Sequence, residues 1–225
     1  MRGGVMRLLS MALAWVLLLS AGALAQEAEV SAAARVELGV GVYSGQQRSV
    51  SDETSGAAGY QISGLVSLKN YPVALSGSYA SFAPKSFTDA SGTEFSLEHT
   101  VQVVDLLAGY QVLPYLAVGA GWASYGYSDE LGDDRWAGGV AVGAFADYPV
   151  HERVRVGGKV YVVPAVRIEH LPADTGTLWG LWLRAAYALR PNLSLEAGYR
   201  TLKVDLETGD SFDTGGLFAG VVYTF

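Results

Sequence analysis

Eight charged residues, Glu37, Asp105, Asp147, Arg155, Lys159, Arg184, Glu196 and Arg200, are where this chain could do chemistry. All sit in stretches where aliphatic residues alternate with small ones. In an extended strand, successive side chains point to opposite faces, so all eight fall on the face away from the aliphatic residues. Four are acidic and four basic. One use of such a set is a self-neutralising network that fills an interior and pins strand register. The other is a narrow polar conduit. A selective pore usually presents a ring of one sign, so the near-balance here favours the network. The turn centred on His151 is expected to set Asp147 directly across from Arg155. The turn centred on Pro191 is expected to set Glu196 opposite Ala186 and diagonal to Arg184.

Two other sets of residues have chemical potential. The polar stretches are acidic, and Asp129, Glu130, Asp133 and Asp134 form the densest cluster. Carboxylates suit calcium or magnesium, which makes divalent cations a candidate partner at that loop, although the spacing is not that of an EF-hand. No metal or cofactor is otherwise expected. The three histidines are His99, His151 and His170. A hydrolytic site needs a histidine beside a carboxylate or a serine. His99 lies near Ser96, Glu98 and Thr100, and His170 follows Glu169. Neither matches a catalytic spacing, so an enzyme is not expected.

The elements that must carry these residues are short strands. Proline-containing breaks fall at 70–72, 113–114, 149–153 and 190–192, roughly 40 residues apart; proline fixes φ and interrupts pairing. Longer polar stretches fall between them, at 44–58, 84–94, 128–135, 171–176 and 207–213. Five hairpins, hence ten strands, follow, with eight as the alternative count. The expected strands are 35–44, 59–69, 73–83, 97–111, 115–127, 136–148, 154–169, 177–189, 193–206 and 214–225. The alternation of strand four loses phase near Val103 and Val104, where a β-bulge is expected.

Composition says which face meets which solvent. Charged residues are 16% of the chain, against roughly 25% in soluble domains. Half of it is hydrophobic, yet beyond the N-terminus no apolar run is long enough for a membrane helix. The face opposite the aliphatic one is too sparsely charged to coat a soluble particle. The aliphatic face is therefore expected outside, against lipid. Aromatic residues of the same parity support this: Tyr110, Tyr148, Tyr187, Tyr223 and Phe225 beside the short breaks, and Tyr60, Trp122, Trp136 and Trp179 near the long stretches. Two such belts suit the two interfaces of a bilayer.

The first 25 residues read as a secretory signal: Arg2 and Arg7, an apolar core from Leu8 to Leu19, and Ala23-Leu24-Ala25 before the cut. Residues 26–34 then form a periplasmic spacer and 35–225 the barrel. Loss of Arg2 and Arg7 takes the formal charge from −7 to −9, which argues against a nucleic-acid partner. The absence of cysteine excludes disulfides, thiolate metal sites and lipoprotein anchoring.

With its signal, its Gly119-Ala120-Gly121-Trp122 and Leu195-Glu196-Ala197-Gly198-Tyr199-Arg200 strands, and its terminal Leu217, Ala219, Val221, Tyr223, Phe225 alternation, the chain resembles the small outer-membrane β-barrel proteins, the OmpA- and OmpX-type group. The resemblance implies an all-β, antiparallel up-and-down transmembrane barrel in a bacterial outer membrane. It also implies a final strand read by the assembly machinery, and lipids as the surrounding partner. It departs from the many members with eight strands, and no cell-wall-binding domain follows the barrel. It implies no particular activity. A structural or surface-interaction barrel and a small porin-like channel both remain open.

Overall fold

The structure, a computed structural model, describes residues 34–48, 54–68, 70–84, 87–88, 94–95, 100–128, 134–168, 175–207 and 211–225. Twelve strands follow one another: β1 (Ala34–Arg48), β2 (Thr54–Leu68), β3 (Val73–Pro84), β4 (Phe87–Thr88), β5 (Glu94–Phe95), β6 (Val101–Leu113), β7 (Leu116–Ser128), β8 (Asp134–His151), β9 (Val154–Ile168), β10 (Thr175–Arg190), β11 (Leu193–Leu206) and β12 (Ser211–Thr224). Strands β4 and β5 pair only with each other. The other ten form a closed antiparallel barrel in which each strand pairs with its chain neighbours and β12 returns to β1. The count is ten, not eight.

The strand centres fall where alternation puts them, but the strands run further at the long-loop end. β1 continues to Arg48, β2 starts at Thr54 and β12 starts at Ser211. Residues 44–48 and 54–58, expected in a loop, pair with each other. Their Gly, Ser and Gln content looks loop-like only if every outward position must be apolar, and at this end it need not be.

The expected bulge at Val103–Val104 is absent. Pairing runs without a shift from Val101 to Asp105 against both β3 and β7. Val103 points inward and is fully buried, while Val104 points outward. The loss of phase comes from an apolar interior at this level, not from an extra residue. A real irregularity lies on β9, where pairing with β10 shifts between the partners of Gly176 and Leu178. Pro164 falls in that interval. It has no N–H for the ladder and sits where the ladder is broken. Both Val163 and Val166 consequently face inward, with Pro164 and Ala165 exposed between them.

Register also fixes the shape. Following paired residues once around from Tyr148, through Val156, Ala185, Ala197, Ala219, Val42, Tyr60, Ser81, Gln102 and Gly126, returns to β8 at Trp136, a displacement of 12 residues. Ten strands with that shear tilt by about 40° and give a backbone radius of about 10 Å. One circuit climbs about 30 Å along the axis. An interior this narrow is filled by ordinary side chains. Gly180 supplies part of the room: a Cβ there would collide with the Tyr161 ring lying across it.

Candidate functional site

The interior is built in two layers. The layer toward the short turns is ionic. Arg184 on β10 is its hub: Nη2 donates to Glu37 Oε2 at 2.7 Å and to Asp147 Oδ1 at 3.2 Å, and Nη1 lies 3.7 Å from Glu196 Oε2. Asp147 also accepts from Arg155 Nε at 2.9 Å and lies 3.2 Å from Arg35 Nη1. Arg35 pairs in turn with Glu37. Slightly higher, Asp105 on β6 takes Lys159, Arg200 Nη2 at 3.1 Å and the Ser78 hydroxyl. These partners come from β1, β3, β6, β8, β9, β10 and β11, so the ion pairs tie opposite walls together. Trp182 stands between the two groups, with Lys159 Nζ 5.6 Å and Arg184 Cζ 5.3 Å from its ring, and stacks on Phe218 at 5.8 Å.

All eight charged residues singled out in the sequence lie in this layer. Glu196 pairs opposite Ala186, as its turn requires. Asp147 does not stand directly across from Arg155. A register shift after Pro149 sets Arg155 opposite Pro149 and Asp147 opposite Gly157, and the Arg155 side chain reaches Asp147 on the diagonal. Arg35 has the same parity as Glu37 and makes the set five basic and four acidic. Its position at the first residues of β1 hid it, and parity extended two residues back would have found it. Trp182 was likewise legible only as an inward aromatic of β10.

The layer toward the long loops is apolar. Phe82, Val101, Val103, Val163, Val166, Leu178, Leu202 and Val204 are inward and fully buried, joined by Tyr43, whose ring centroid lies 4.2 Å from that of Phe82. Burying them stabilises the barrel by roughly 1.5–3 kcal/mol per large side chain. The outer wall inverts in step. Beside the ionic layer it carries Val40, Val42, Val118, Val140, Val156, Leu183 and Leu195, all exposed. Beside the apolar layer it carries Gln102, Arg167, Thr177, Thr201, Lys203, Asp205 and Asp213, with Lys203 bridged to Asp205 at 2.7 Å. Over the lower part, then, the barrel is greasy outside and charged inside. Over the upper part it is polar outside and greasy inside.

The aromatic positions follow that boundary. Tyr110, Tyr148, Tyr187, Tyr223 and Phe225 are exposed at the short-turn end, and Tyr60, Trp122 and Trp179 near the inversion. Trp136 has the same parity but is only 9% exposed. It ends the row that starts at Tyr148, and so stands about 30 Å above it, beyond an apolar band of about 25 Å. Its ring covers Gly126, where a Cβ would come within 2.7 Å. It belongs to the packing of the upper wall and not to the belt. Leu217, Ala219, Val221 and Tyr223 on β12 face outward, as does Phe225 just after it, the last two rings touching edge to face at 4.8 Å.

Among the described residues, the inward side chains of both layers are largely buried. A cavity of about 20 Å³ in the ionic layer touches Glu37, Ser63, Ser76, Phe145, Trp182 and Arg184. Hollows of about 670 and 530 Å³ lie instead on the outer wall, around Ala197 and Ala144. His151 is exposed in its turn and accepts a 3.4 Å hydrogen bond from the Arg153 N–H. His99, His170, Asp129, Glu130 and Asp133 lie outside the described residues, as do the side chain of Asp134 and the signal segment. Among the described residues no group of three or more His, Asp or Glu could hold a metal ion.

The class these features define is a closed ten-stranded barrel with an aliphatic outer band and a filled interior. The similar solved structures are distant in sequence. The outer-membrane protease OmpT of Escherichia coli is 13% identical, with 86% of this chain and 97% of that one covered and a TM-score of 0.45. Neisserial surface protein A is 15% identical, covering 84% and 97%, at 0.49. The attachment invasion locus protein Ail of Yersinia pestis is 13% identical, covering 86% and 99%, at 0.39. No family model matches the chain, and no curated protein matches it. At 13–15% identity none of these likenesses transfers a residue or a role.

Proposed function

We propose that this chain is an integral outer-membrane barrel with a structural and surface-presenting role, and not an enzyme. The supporting observation is the occupied lumen: ion pairs joining opposite walls below, and a close-packed apolar layer above. Such an interior spends most of its charged groups on each other, which suits a rigid support for loops. The aliphatic band between two sets of exposed aromatics suits lipid as the surrounding solvent. Export by the N-terminal signal, with cleavage after Ala25, and delivery to the barrel-assembly machinery through the Phe225 strand belong to the same proposal.

Refolded protein is expected to migrate differently before and after boiling on a denaturing gel, and to be electrically silent in planar bilayers. Steady unitary steps of reproducible size from the parent protein would replace this reading with the porin-like one. Measurable lipid or peptide hydrolysis, lost on replacing His99 or His170, would replace it with an enzymatic one.

A further inference from the structure

The lumen contains two candidate barriers, and they differ physically. The ionic layer is nearly neutral in sum and its outermost members reach solvent: the side chains of Arg35 and Arg155 are 27% and 30% exposed. Arg35 and Arg155, which already touch water, can hydrate and exchange partners without losing solvation, and they lead to the buried pairs around Arg184. The apolar layer offers a hydrated ion little beyond the Tyr43 and Thr214 hydroxyls. Phe82, Val103, Val163, Leu178, Leu202 and Val204 converge from β3, β6, β9, β10 and β11 and have almost no exposed surface. A narrow ring of such side chains excludes water, and an ion crossing it would have to shed its hydration shell.

We propose that the apolar layer, and not the ion-pair network, is the seal that keeps ions from crossing this barrel. The charged layer below it is a dead-ended polar throat opening toward the short turns. This rests on the proposed reading of the chain as a membrane barrel, but it assigns the closure to particular residues. It predicts a latent conduit that needs only polar groups at one level to fill with water.

The experiment compares potassium chloride flux from vesicles, and planar-bilayer currents, for four refolded proteins. These are the parent, Leu178→Ser/Leu202→Ser, the shape-preserving Val163→Thr/Val204→Thr, and Arg184→Gln. A boiling-dependent gel shift establishes that each is a closed barrel. The serine pair is expected to raise flux roughly tenfold or more over the parent, and the threonine pair to raise it less, because its hydroxyls add polarity without opening space. The parent and Arg184→Gln should stay silent. If the serine pair fails to fold, the threonine pair alone decides the matter. Folded variants of the apolar layer that remain silent beside a silent parent would overturn the seal while leaving the structural reading in place. Conduction by Arg184→Gln alone would move the barrier to the ion pairs. A conducting parent would overturn both.

Discussion

Arg184 and Glu37 stand 147 positions apart in the chain and meet at 2.7 Å across the lumen. Neither can rotate to water, since both side chains are almost fully buried. The same guanidinium serves Asp147 and lies within 4 Å of Glu196, so removing it takes a shared cation from three carboxylates at once, of which Glu37 keeps Arg35 and Asp147 keeps Arg155 and Arg35. Breaking a buried pair by deleting one partner costs about 3–5 kcal/mol. Arg184→Ala is therefore expected to lower the unfolding free energy of the refolded barrel by that amount, read from the shifted midpoint of a urea titration. Arg155→Ala, whose side chain is partly exposed, should cost about 1 kcal/mol or less. An Arg155 effect equal to that of Arg184 would mean that the network has no hub.

Glu196 tests the same network from the other side. Its carboxylate oxygens are buried without a hydrogen bond, 3.7 Å being too long for one. Glu37 by contrast accepts from Arg184 and pairs with Arg35. Neutralising a buried charge that has poor partners removes a desolvation cost, whereas neutralising a well-paired one leaves its partner uncompensated. Glu196→Gln should be neutral or stabilising, and Glu37→Gln should destabilise by about 2 kcal/mol or more. The check is the difference between the two midpoints, and equal losses would contradict the geometry.

The sequence carried the fold because one rule holds over most of each strand: aliphatic out, small or charged in. That rule places ten strands and the eight charged residues. It fails where the outer wall turns from aliphatic to polar. On β11, Leu195, Ala197 and Tyr199 face out while Glu196 and Arg200 face in; directly beyond, Leu202 and Val204 face in while Lys203 and Asp205 face out. The backbone phase is unbroken across this change, as the continuous pairing with β10 and β12 requires. Read as a single rule, the same reversal on β6 imitates a bulge at Val103–Val104, and on β1 and β2 it imitates a loop. The cue was available in the sequence as an apolar parity that switches at one level on several strands. The diagonal contact of Arg155 with Asp147 was not available, because it depends on a register shift at Pro149 that turn length alone does not specify.

Space at glycine gives a prediction independent of charge. Tyr161 lies across Gly180 on the neighbouring strand, and its buried ring fills the lumen between the ionic and apolar layers. Gly180→Val would push that ring into a packed interior, at a cost of about 1–3 kcal/mol or a failure to close. The double variant Gly180→Val/Tyr161→Ala should recover much of the loss, since the two changes act on one space. A double variant as unstable as the sum of the singles would show that the ring and the glycine are not coupled.

If the barrel sits in a bilayer as proposed, the inversion of polarity sets its depth, and tryptophan reports on depth. Trp122 is half-exposed near the level where the wall changes from aliphatic to polar, whereas Trp136 is covered and stands above it. In single-tryptophan variants refolded into bilayers, bromine carried on the acyl chains should quench Trp122 strongly. It should leave Trp136 within roughly a tenth of its unquenched intensity, because the apolar band is only about 25 Å tall. Acrylamide in the water should reach neither ring fully, Trp136 being shielded by its packing on Gly126. Placing an alanine at Gly126 would lift the Trp136 ring from the wall and raise its acrylamide quenching while leaving its response to brominated lipid low. Strong lipid quenching of Trp136 would put the upper wall inside the bilayer. The polar residues Lys203, Asp205 and Asp213 would then face acyl chains, an arrangement that their charge forbids.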